Sequence, residues 1–166
     1  SEPSVHFLWS GNGSLLDQLG ALVLKTEDIR VVTPFLDAEA LRRLALTTGA
    51  KQVTLQLPFE GADTPLEDAV KAVSQLIPKT VKRPLRLHAK AYIFDYRNVP
   101  DQKGVAIIGS SNLTLAGLEH STELNVKVYG NNNHAALTKW FDDLWEEAQD
   151  FDDALLNEMS NLGQCS

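Results

Sequence analysis

A single cysteine, Cys165, stands next to the last residue of the chain. No internal disulfide can form, which favours a reducing, cytoplasmic location. No apolar run approaches the roughly 18–20 residues that a bilayer-spanning helix needs, so no membrane partner is expected. The opening stretch, SEPSVHFLWSGNG, lacks the basic start and long apolar segment of a secretory signal. Its Ser10-Gly11-Asn12-Gly13 turn lacks the length and the lysine of a phosphate loop, and reads as a connector. There is no internal repeat and no low-complexity segment. What is there is a globular composition: 166 residues, 43% apolar and 22% charged, enough to bury a core in one domain.

The formal net charge of −7 disfavours an anionic partner on its face. The distribution reverses that reading. Asp142, Asp143, Glu146, Glu147, Asp150, Asp152, Asp153 and Glu158 fill residues 142–166 with no lysine or arginine among them. The rest of the chain is nearly neutral. Within it Lys79, Lys82, Arg83, Arg86 and Lys90 follow one another without an intervening acid. A run of this kind is either a solvated edge or a phosphate-attracting surface. We therefore divide the chain into a single domain over 1–150 and an acidic tail over 151–166.

Taken in order, VHFLW (5–9) reads as a strand and 14–26 as a helix with Leu15, Leu19, Leu22 and Val23 on one stripe. IRVVTPF (29–35) is a β-branched strand, 38–48 a helix closed by Gly49, and 51–57 a strand. Thr64, Pro65 and Glu67 predict a helix start, with the helix running to about residue 76. Beyond it, 86–94 alternates, GVAII (104–108) is apolar, and a polar connection between them predicts a hairpin. A strand over 122–129 should point Leu124, Val126 and Val128 inward. A final helix over 134–148 carries Leu137, Phe141, Leu144, Trp145 and Ala148 as its core stripe. The fold class is α/β, a mixed β-sheet flanked by helices on both faces.

The chemistry concentrates in residues 85–125. His88 and Lys90, two apart on a strand, point to one face. Asp95 follows, then Gly109-Ser110-Ser111-Asn112, then Glu123. A lysine charge, a hydroxyl, an amide donor and an imidazole can surround one tetrahedral anion, and the natural reading is a site that breaks phosphodiester bonds. Tyr92, on the His–Lys face, either lines that pocket or packs beside it. Arg83 and Arg86 of the basic run are the candidate substrate-binding cations.

The pattern H-x-K-x4-D followed by G-S-x-N resembles the HKD signature of the phospholipase D superfamily, matched at His88, Lys90, Asp95, Gly109, Ser110 and Asn112. Glu123 stands where the single-motif bacterial endonucleases of this superfamily keep an acid. The resemblance covers about 40 residues, and the order of elements is that of one phospholipase D-like repeat. The connection at 96–103 is longer than in compact members. The resemblance implies that His88 attacks phosphorus to form a phosphohistidine and that Glu123 orients its imidazole. Lys90 and Asn112 would bind the non-bridging oxygens with Ser110 beside them, and Asp95 would serve a structural bond better than proton transfer. No metal and no cofactor enter such a scheme. A second histidine must protonate the leaving group, and His6, His120 and His134 lack a lysine two residues on. That implies a homodimer, or a pairing with a second HKD half.

The leading expectation is thus a nuclease acting on DNA. One alternative is a phospholipase D or phosphatidyl transferase acting on lipid, the other a non-catalytic phosphate- or nucleic-acid-binding module.

Overall fold

A computed structural model describes residues 4–10, 14–35, 38–43, 50–55, 81–84 and 86–150. The helix expected over 64–76, residues 44–49 and the tail 151–166 lie outside the described residues. Eight strands form one sheet: β1 Val5–Trp9, β2 Thr26–Thr33, β3 Ala50–Leu55, β4 Val81–Arg83, β5 Ala91–Tyr96, β6 Gly104–Gly109, β7 Leu124–Val128 and β8 Gln149–Asp150. Their order is β1-β7-β6-β5-β2-β3-β4-β8. β2, β3 and β4 run parallel, and every other neighbouring pair is antiparallel. The described helices are α1 Leu15–Val23, α2 Ala38–Arg43 and α3 Asn131–Glu147, with a π-helical turn at Ala116–His120.

The pleat sorts the side chains into two apolar layers. Val32, Ala91, Ile93 and Ala106 form one layer with Phe141 of α3, and Leu137, Leu144 and Trp145 pack against it. Phe141 and Trp145 stack with ring centroids 5.8 Å apart. Residues of opposite parity, Val31, Tyr92, Phe94, Val105 and Ile107, face the other way and are equally buried. On that side α1 contributes Leu15, Leu16, Leu19 and Leu22. The mixed sheet with helices on both faces is the class expected from the alternation of elements.

Covering both faces explains where local patterns mislead. The alternation over 86–94 predicts one long strand, yet β5 begins only at Ala91, and residues 91–94 are all buried because both faces are packed. Residues 87–90 precede the ladder as an extended segment, held to β6 where the Gly109 N–H donates to the Lys90 carbonyl at 3.3 Å. The first helix stops at Val23 and not at Thr26, because Thr26 already pairs with Tyr96 in the sheet. On β7 the expected facing is reversed at its start. Leu124 is exposed and Asn125 is buried, 4% accessible.

β4 and β8 have no counterpart in the sequence reading. β8 pairs antiparallel with β4, Lys82 opposite Asp150.

Candidate active site

The site lies at one end of the sheet, where β2 and β6 finish and β5 and β7 begin. The register sets Ala91 against Ile108 and Gly109 against Asn125, so Lys90, Ser110, Glu123 and Ser10 fall in a row across β5, β6, β7 and β1. Three strand spacings, about 14 Å, span that row. His88 is exposed and Lys90 half-buried, and among the described residues neither side chain has a hydrogen-bond partner.

Glu123 is the fixed point. Ser110 Oγ donates to Glu123 Oε2 and accepts from the Leu124 N–H at 3.1 Å. The Glu123 backbone is fixed from the other side. Its N–H donates to Ser10 Oγ at 2.8 Å, and that hydroxyl donates on to the Ser121 carbonyl at 2.9 Å. The sequence reading places Glu123 against His88. Here its described partner is Ser110, and a carboxylate retains lone pairs for a second donor.

The loop carrying Asn112 is built into the core. The Tyr92 hydroxyl donates to the Ser111 carbonyl at 2.9 Å. The Asn125 amide donates to Ser111 Oγ at 2.9 Å. The Leu113 N–H donates to Thr33 Oγ1, at the end of β2, at 3.0 Å. Beneath it the π-helical turn closes in: a Cβ at Gly117 would stand 2.5 Å from the Asn112 carbonyl oxygen, so only glycine fits. The Asn112 Oδ1 atom is buried with no partner among the described residues. Ser10, Ser111, Thr33 and Asn125 were missed because isolated Ser, Thr and Asn carry no spacing signal; only the register reveals them.

Two residues assigned to the site from sequence sit elsewhere. Tyr92 is 1% exposed, so it supports the loop from below and offers no surface to a substrate. Burial, and secondarily the charge of Glu123, push its phenol up, keeping it protonated. Asp95 lies five residues along β5 from Lys90, about 17 Å away at strand rise. Its carboxylate pairs with Arg30 Nη1 at 2.8 Å and with His134 Nε2 at 2.7 Å. Burial acts to raise its pKa, but the bonds from His134 and Arg30 outweigh it and hold the group below its ordinary value. Asp95 ties β5 to Arg30 of β2 and to His134 of α3.

The basic run is divided in the same way. Residues 86–90 lead into β5 at the site end of the sheet, which sets Arg86 and Lys90 there. Arg86 is exposed and adopts a left-handed φ of 54°. Arg83 is half-buried at the end of β4, three strand spacings from β5. Lys82 is withdrawn: its Nζ donates to the Trp145 carbonyl at 3.1 Å, pairs with Asp150 at 3.6 Å and lies over the Trp145 ring. Among the described residues no cluster of three His, Cys, Asp or Glu side chains could hold a metal, and no helix is long and apolar enough to cross a membrane.

The family model described as cardiolipin synthase, PLD-like domain, matches residues 6–145. Among solved structures, a phospholipase D family member, Nuc from Salmonella typhimurium, superposes with a TM-score of 0.67 at 19% identity. The superposition covers 90% of this chain and 99% of that one. NucT from Helicobacter pylori gives 0.64 at 13% identity over 89% and 98%. Phosphatidylserine synthase from Haemophilus influenzae gives 0.63 at 12% identity over 98% of this chain but 42% of that one. At such identities the likeness establishes the fold. A search of curated proteins found no significant match.

Proposed function

The chain belongs to the family described as cardiolipin synthase, PLD-like domain, and from that premise we propose that it hydrolyses nucleic-acid phosphodiester bonds, DNA first among them, through a phosphohistidine. The observation that supports the reading is the fixed Ser110–Glu123 pair at the end of the sheet where Lys90, with His88 two residues before it, leads into β5. His88 attacks phosphorus, and a P–N bond forms as the P–O bond to the leaving oxygen breaks. Lys90 and the Asn112 amide neutralise the charge that gathers on the non-bridging oxygens. Preorganised donors of this kind each contribute about 3–4 kcal/mol. Glu123 accepts the other ring N–H and stabilises the imidazolium, with Ser110 fixing the carboxylate. A second His88, from another copy or another HKD half, protonates the leaving oxygen. It then takes a proton from the water that opens the P–N bond.

Arg86 and Arg83, ahead of His88 in the chain, suit a polyanion that extends past the reacting phosphate. The superposition takes in nearly the whole of Nuc and NucT and under half of the phosphatidylserine synthase.

The test offers an oligonucleotide and a phospholipid side by side to the protein and its His88→Ala variant, with and without EDTA. Cleavage of the oligonucleotide alone, undiminished by EDTA and lost in the variant, is expected. Turnover of the lipid alone would transfer the reading to the lipid branch. Binding of oligonucleotide without cleavage would leave a phosphate-binding module.

A further inference from the structure

The geometry points to a second ligand site at the end of the sheet away from His88, a cavity between the 96–103 connection and α3 that takes a small organic ammonium ion. It stands apart from the phosphodiester chemistry, because Asp95 on its floor is five residues along β5 from Lys90. The cavity has a volume of about 620 Å³, in the range of small-molecule sites. Its walls are fastened on two sides. The Arg97 N–H donates to the Lys25 carbonyl at 3.0 Å, and Arg97 Nη2 to the Thr26 carbonyl at 3.3 Å. Asn131, in the first turn of α3, accepts from the Lys103 N–H at 2.9 Å and donates to the Asp101 carbonyl at 3.0 Å. Between these anchors Asn98 and Asp101 hold left-handed φ values of 50° and 62°. Such a backbone persists where surrounding bonds fix it.

Two features aim chemistry into this space. β2 steps from Thr26, opposite Tyr96, to Asp28, opposite Asp95, and leaves Glu27 as an extra residue. A bulge of this kind re-aims a side chain, and Glu27 lines the cavity. The floor is the Asp95–His134 pair. A Cβ at Gly104 would stand 2.8 Å from His134 Nε2 and 2.9 Å from its Cδ2, so that edge of the ring lies against β6 and Nδ1 is on the other. Asp95, held ionised by its partners, accepts from Nε2. The neutral imidazole then keeps a lone pair on Nδ1. That atom has no partner among the described residues, in a side chain only 10% exposed that lines the cavity.

The charges select the ligand. Glu27 and Asp142, on the rim, are neither hydrogen-bonded nor ion-paired among the described residues. Lys139 is taken by Asp143 at 2.8 Å, with Asp142 also acting on it. Lys103 is the one lysine of the lining without an acid partner among the described residues. Asp28, opposite Asp95, adds a further acid beside the floor. The balance is negative, which attracts a cation and repels an anion. An ammonium group donates to His134 Nδ1 while Glu27 and Asp142 offset its charge, and Tyr96, Val99 and Ala135 flank its alkyl chain. A metal ion is a poorer match, since among the described residues no three His, Cys, Asp or Glu side chains gather there.

Isothermal titration of the whole chain with putrescine, at about 0.15 M salt, tests this. One saturable site per chain is expected, and succinate should not bind. Glu27→Gln should weaken binding about fivefold, and Glu27→Gln with Asp142→Asn about twentyfold or more. Asp17→Asn, an exposed acid of α1 outside the cavity, should leave the affinity unchanged, as should His88→Ala. In nitrogen-detected NMR the His134 Nδ1 signal should shift along the same saturation curve. Absence of saturable binding overturns the proposal. So does a loss as large in Asp17→Asn as in Glu27→Gln, which would mean attraction to net charge alone, or a loss in His88→Ala, which would put the amine at the reacting site. If the double variant fails to fold, the NMR titration of the wild type decides, and an unshifted His134 ring overturns the proposal.

Discussion

Ser110 Oγ donates a hydrogen bond to Glu123 Oε2, joining the residue that follows β6 to the residue that precedes β7. On the proposed mechanism this bond lets the serine of the G-S-x-N segment hold the acid that orients His88. Hydrogen bonds to charged groups contribute about 1.5–3 kcal/mol, and each ~1.4 kcal/mol is tenfold in rate. Ser110→Ala should therefore lower kcat/KM on a model phosphodiester by roughly ten- to a hundredfold, checked by steady-state kinetics beside a circular-dichroism control.

Ser10 acts on the same acid from outside the motif. Its hydroxyl accepts the Glu123 N–H and bonds the Ser121 carbonyl. Ser10→Ala should reduce kcat while leaving KM near its original value, and Ser10→Thr should restore most of the loss. A change in KM alone would assign Ser10 to substrate binding.

Tyr92 supports the Asn112 loop by a buried bond to the Ser111 carbonyl. Tyr92→Phe leaves that carbonyl unpaired at a cost of about 1–2 kcal/mol. For a chain of this length the melting temperature should fall by roughly 2–8 °C. Calorimetry gives the answer, and an unchanged melting temperature would show that the hydroxyl bears no load.

Asp95 predicts a pH dependence of stability. Its folded value is depressed by His134 and Arg30 against the opposing effect of burial. A depressed carboxyl contributes stability that is present above its unfolded value, near 4, and lost as pH falls through the folded one. Denaturant titrations from pH 6 down to about 2 should show this loss in the wild type. Asp95→Asn should be less stable at pH 6 and should lose less on acidification. Parallel curves would remove Asp95 from the account.

Much of the fold was legible because its determinants are local. The stripe of α3 and the β-branched run of β2 name their own elements, and their alternation fixes the class. The segments of His88, Lys90, Ser110 and Glu123, singled out by spacing, come to one end of the sheet. What stayed hidden depends on pairing between distant strands. Asn125 looks like an outward residue of an alternating strand until the register buries it beneath Ser111. Tyr92 shares parity with Lys90, yet once the ladder begins both faces are covered and the ring becomes core. Lys82 reads as part of the basic run, but β8, too short to signal itself, draws it to Asp150 and Trp145.

The central claim is that His88 carries the phosphoryl group. Brief reaction with an oligonucleotide labelled at the reacting phosphate, followed by alkaline quenching and peptide mass analysis, should recover the labelled phosphate, bound through an acid-labile P–N bond and still esterified to one oligonucleotide fragment, on the peptide containing His88. The label should be absent from the His88→Ala protein. A protein that cleaves the oligonucleotide at full rate with no label on His88, or with His88 replaced, would contradict the account.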